Sequence, residues 1–140
     1  MSVEQNKAII LRFWFDSAER GLKAVDELFA DDFVRYSPDG KMGKAQFRQL
    51  VDMLQKAFPD SRSKIDGLVA EGDRVAFHYV LTGTDKGGYR GNPPTGKRFS
   101  FTQANFCVVR GGKITELRVF PVAPSVDEQL GIKPKAQRGE

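Results

Sequence analysis

A glycine pair, Gly111-Gly112, separates two runs that alternate as strands do, Phe99–Arg110 and Lys113–Pro121, and these runs carry many of the side chains able to do chemistry. Placing Arg110 opposite Lys113 sets Cys107 against Glu116, Asn105 against Arg118 and Gln103 against Phe120. Side chains alternate along a strand, so Gln103, Asn105 and Cys107 are expected to share a face with Glu116, Arg118, Phe120 and Val122. Ala104, Phe106 and Val108 then share the other face with Leu117, Val119 and Pro121. The mixed first face suits the wall of a ligand cavity, or a sheet surface that meets solvent. The apolar second face suits packing or a dimer sheet.

On the first face Glu116 is a possible base, and Glu116 with Arg118 also fits an ion pair. Asn105 and Gln103 can hydrogen-bond a carbonyl or hydroxyl. His78, the one histidine, is placed on a strand, either as a proton shuttle or as a structural residue. Trp14 and Tyr36 would serve a planar or polycyclic ligand, or belong to the core. Cys107 reads as a small buried hydrophobe, since no histidine is identifiably paired with it. One cysteine and one histidine exclude a conventional zinc site and a disulfide framework, and suit a reducing cytoplasm.

The elements that would position these groups follow from pattern. Ser2 with Gln5 makes a capping box, and Ile10, Phe13, Trp14 and Ser17 fall on one helical face that Gly21 ends. A short helix through Val25, Leu28 and Phe29 precedes a strand over Asp32–Tyr36 and a turn at Pro38-Asp39-Gly40. Phe47, Leu50, Val51, Leu54 and Phe58 have helical spacing between Lys44 and Pro59. Strands over Ser63–Ala70 and Arg74–Thr84 meet at Glu71-Gly72-Asp73, and a glycine-rich loop, Asp85–Lys97, leads to the last hairpin. Helices first and antiparallel strands after predict an α+β fold, one domain over residues 1–131 with a polar tail over 132–140.

A chain of 140 residues can bury a core, and its eleven phenylalanines predict an aromatic one. No stretch nears the ~20 apolar residues of a membrane span, and the N-terminus lacks the basic start of a secretory signal. The net charge of +4 is scattered among acidic residues, which argues against a nucleic-acid stripe. Gly91–Lys97 has the glycine and lysine spacing of a phosphate-binding loop, but two prolines remove amides and Arg98 stands where Ser or Thr should bind magnesium.

The segments LFADDFVRYSPDG, AFPD, AEGDRV, GTDKGGYRGNPPTGK, GGKITE and QLG resemble, in order and spacing, the SnoaL-like polyketide cyclase family of the NTF2-like superfamily. The resemblance implies a cone in which a curved antiparallel sheet wraps against helices around a deep pocket, and a homodimer through the outer sheet face. It further implies a cofactor-free cyclase or isomerase acting on a polyketide-like or other hydrophobic natural product, with no metal. A non-catalytic small-molecule-binding protein on the same fold is the alternative. The family's catalytic aspartate maps onto Val122, its tryptophan onto Arg118 and a frequent histidine onto Asn105. Valine can neither give nor take a proton, so the family's acid/base pair is not carried over.

Overall fold

The capping box opens the chain: the Ser2 backbone N–H donates to Gln5 Oε1 at 2.9 Å, and the Gln5 N–H donates to Ser2 Oγ at 3.1 Å. Such a cap contributes about 1 kcal/mol. A computed structural model describes residues 2–132 but not the side chains of 15–20. Ser17 on the first helix face and the polar tail from residue 133 onward therefore lie outside the described residues. Helix α1 spans Val3–Leu28 and kinks at Gly21, where φ is 44° and ψ −115°. The break expected there is present, and helical residues resume beyond it. Its apolar stripe buries Ile9, Ile10, Phe13 and Trp14.

Six strands follow: β1 (Phe29–Ser37), β2 (Gly40–Gly43), then after helix α2 (Lys44–Ala57) β3 (Arg62–Glu71), β4 (Arg74–Thr84), β5 (Arg98–Arg110) and β6 (Lys113–Val122), with a short helix α3 (Val126–Leu130) at the end. They form one curved sheet in the order β2-β1-β6-β5-β4-β3. The α+β class is as expected. However, the sheet is mixed, because β1 runs parallel to β6 while every other pair is antiparallel.

The core is aromatic. Phe29 stands edge-on to Phe13 and Phe33 at 4.9 and 4.8 Å, and Trp14 meets Phe77 at 4.7 Å. A second cluster joins Phe58, Tyr89, Phe99 and Leu130, and so ties α2, the β4–β5 loop, β5 and α3 together. That loop is organised by Asp85, which is fully buried. Its carboxylate accepts from the Gly88 N–H at 3.1 Å and from the Thr95 N–H and Oγ1–H at 2.9 Å each.

The last hairpin overturns the expected faces. The glycine turn is present, with φ of 58° at Gly111 and 78° at Gly112, and Arg110 faces Lys113. One step further a β-bulge intervenes: Val109 pairs with Ile114 but Val108 pairs with Glu116, which leaves Thr115 extra. The Thr115 hydroxyl donates to the Val108 carbonyl across the bulge at 3.3 Å. Beyond it every β6 side chain changes face. Gln103, Asn105 and Cys107 lie opposite Pro121, Val119 and Leu117, whereas Glu116, Arg118, Phe120 and Val122 oppose Val108, Phe106, Ala104 and Thr102 on the outer face.

Candidate functional site

Between the two aromatic clusters the inner face of the sheet and helices α1 and α2 enclose a cavity of about 380 Å³. Trp14, Phe47 and Leu50 line it from the helices, and Tyr79, Gln103 and Asn105 from β4 and β5. Its outer part is formed by Arg35, Asp39, Arg90 and Asp127. Tyr79 is opposite Gln103 in the β4–β5 ladder, so the phenol and the two amides stand together.

Their hydrogen bonds are directional. Gln103 Nε2 donates to the Tyr79 phenolic oxygen at 2.9 Å and to Asn105 Oδ1 at 3.1 Å. Burial pushes the Tyr79 phenol above the ordinary tyrosine range, opposed by the polar N–H groups of the neighbouring Trp14 and Asn105 and by the Arg35 charge. Tyr79 is thus a neutral phenol that accepts from Gln103 and, among the described residues, donates to none, which leaves its O–H directed to no described partner. Asn105 is 3% exposed, and its Nδ2 has no acceptor among the described residues. A buried donor in that state costs roughly 1–3 kcal/mol, and a ligand oxygen would relieve it.

Arg35 faces inward because it is opposite Leu117 in the parallel β1–β6 pair. Burial lowers its pKa from the ordinary arginine value, yet a guanidinium remains charged at any working pH. Arg90 is the one described non-glycine residue with positive φ, 52°, and pairs with Asp127 at 3.4 Å. Cys107 is fully buried, and burial alone raises its thiol pKa far out of the reactive range.

Of the sequence-predicted site residues, Trp14, Gln103 and Asn105 meet in the cavity. The others stand outside it, and the bulge is the reason for four of them. Glu116 and Arg118 form an outer-face ion pair at 2.7 Å, and the Arg118 guanidinium lies 4.2 Å over the Tyr36 ring, which places Tyr36 outside as well. Phe120 and Val122 are exposed. His78 is opposite Ala104 on that same face, half exposed and 3.9 Å from Asp66. Exposed ion pairs contribute about 0–1 kcal/mol. Glu116→Gln is therefore expected to change stability by less than ~1 kcal/mol in thermal melts, and a larger loss would contradict the outer placement.

Sequence reasoning missed Tyr79 and Arg35. Extending the hairpin register by one strand to β4 would have put Tyr79 beside Gln103; Arg35 lies two residues from the buried Phe33, so the alternation of β1 puts both on one face.

A mixed sheet curved against helices, with a lined cavity between them, defines an NTF2-like α+β cone. The model of the SnoaL-like polyketide cyclase family matches residues 8–123, and the chain belongs to that family. AclR of Streptomyces galilaeus, proposed to be a hydroxylase, superposes with a TM-score of 0.83 at 28% identity, covering 99% of this chain and 90% of that one. IdmH of Streptomyces antibioticus, proposed to be a polyketide cyclase, gives 0.76 at 27% identity, over 91% and 99%. A Catenulispora acidiphila protein of ketosteroid isomerase-like fold gives 0.70 at 20% identity, over 94% and 96%, and shares the fold alone. No curated protein matches the chain by sequence.

Proposed function

We propose that the chain is a cofactor-free cyclase or isomerase for a hydrophobic, ring-forming, polyketide-like ligand, in which Tyr79 and Asn105 hold a carbonyl oxygen as it gains negative charge. The Tyr79 O–H, which donates to no described residue, is the observation that carries this reading: a neutral donor, fixed from behind by Gln103 and set against the Trp14 ring, is arranged before the reaction. Trp14 and the phenylalanines would hold the ring system. Proximity and orientation supply much of the rate of a ring closure. Asp39 and Asp127 are the carboxylates among the lining residues. Asp127 is held by Arg90, which leaves Asp39 to accept the proton from the carbon beside the carbonyl.

The test is deuterium uptake at C1 of 2-tetralone in D2O, followed by proton NMR. The C–H proton passes to the carboxylate, the enolate oxygen is held by Tyr79, and a deuteron returns to carbon. Acceleration over buffer supports the reading. Binding of 2-tetralone without acceleration would favour the non-catalytic binding protein, for which the exposed position of Asp39 at the rim speaks.

We also propose a homodimer, through a corrected surface. Leu117 and Val119 point inward, so the exposed apolar side chains of β6 on the outer face are Phe120 (56% exposed) and Val122 (50%), two residues apart. Phe120→Arg is expected to give a monomer in light scattering at micromolar concentration; a wild-type chain that is itself monomeric there would remove the dimer.

A further inference from the structure

We infer that the ligand is an organic anion, a hydrophobic ring system bearing a carboxylate, and that Arg35 determines this preference; the inference rests on the ring-binding cavity proposed above. Arg35 is a half-buried cation whose side chain, among the described residues, makes no hydrogen bond and no ion pair, although it lines the cavity. Its situation differs from that of the other cations nearby. Arg90 is neutralised by Asp127 at 3.4 Å, and Arg48, on the far side of α2, is bound by Asp26 at 2.9 Å. Asp39 favours the charge of Arg35 from the rim, but it is exposed and does not bond it.

Taking a cation out of water without a partner is costly, and a fold retains one where a ligand completes it. A guanidinium presents a planar fork of donors that matches a carboxylate in two parallel hydrogen bonds. The Asn105 Nδ2, buried without an acceptor, is an independent sign that oxygen is missing from the same cavity. Two separate donors lack acceptors among the described residues and the walls are aromatic, so the matching ligand is flat, apolar along most of its length and acidic at one end.

The experiment compares 2-naphthoate with 2-naphthamide, nearly equal in shape and differing in charge, by isothermal titration calorimetry at pH 7. The acid is expected to bind about tenfold or more tighter than the amide, in keeping with a charge-assisted bond. Arg35→Met is expected to erase that ratio while leaving the amide affinity as it was. If that variant fails to fold, Arg35→Gln serves in its place, and the wild-type ratio stands as a test in either case. Equal binding of acid and amide by the wild type would overturn the anion preference and leave the ring-binding cavity intact. Failure of both probes to bind would remove the cavity reading and the inference with it. An acid preference that survives in a folded Arg35 variant would overturn the role of Arg35.

Discussion

Tyr79→Phe is expected to slow deuterium exchange into 2-tetralone by about two orders of magnitude, the usual loss when one donor to a developing oxyanion is removed. The substitution keeps the ring that packs against Trp14, with centroids 6.4 Å apart, and deletes one oxygen. It leaves Gln103 Nε2 with Asn105 Oδ1 as its remaining acceptor, so a stability loss of roughly 1–3 kcal/mol accompanies it. The rate is the discriminating measurement, because ground-state binding of the ketone should change far less than exchange. The pH profile adds a second check. The folded pKa of Tyr79 is raised, so the protein keeps the proton at pH values where an unfolded tyrosine, near 10, has lost it. Stability tied to the neutral phenol is therefore complete below about pH 10 and falls as pH rises beyond it. The exchange rate should show no loss of the donor below that point. A Tyr79→Phe enzyme exchanging at the wild-type rate would end the oxyanion role.

The second large effect is expected at Asp85. Asp85→Ala removes three hydrogen bonds to a buried carboxylate and leaves the Gly88 and Thr95 amides without an acceptor. A loss of about 3–5 kcal/mol should follow, read as a lower urea midpoint at unchanged slope. The loop that Asp85 folds carries Tyr89 and Arg90 to the cavity. Affinity for 2-naphthoate should therefore weaken in a variant that remains folded at low temperature. A midpoint shift worth less than 1 kcal/mol would mean the loop is held by its other contacts.

Most of the fold was legible because its signals are local. The capping box at Ser2, the helical spacing from Phe47 to Phe58 and the turn at Gly111-Gly112 each depend on a few neighbouring residues. What was not legible depends on pairing at a distance. Nothing local to β1 shows that its partner is β6 or that the two run in the same direction. The site suffered from the same blindness in a sharper form. A single extra residue, Thr115, is invisible if a two-residue turn is taken to fix the register outward from it. The evidence against that register was present in the plain alternation of β6, where Leu117 and Val119 are apolar while Glu116 and Arg118 are charged. The polar Gln103 and Asn105 on the neighbouring strand outweighed it, since a cavity wall was expected to be polar on both strands. The cavity instead sets two amides of β5 beside apolar residues of β6.

The parallel contact between β1 and β6 also joins the two ends of the chain's sheet-forming sequence, which is expected to slow folding. Strands β3, β4 and β5 form a run of antiparallel neighbours, and β1 with β2 forms a separate hairpin. In the sheet only β6 touches both, which makes it the seam between an early and a late block of the chain. Contacts between residues this far apart in sequence carry a loop-closure cost before they return any stability, and they slow folding. During synthesis the hairpin of β1 and β2 has no sheet to join until residue 122 has left the ribosome. The aromatic contacts that cover the apolar side of that hairpin come from α1 and α2, through Phe13 and Phe47 against Phe29 and Phe33. The aromatic cluster joins elements that are all made early in the chain, and so could shelter the first strands in a half-made protein before the last strand arrives.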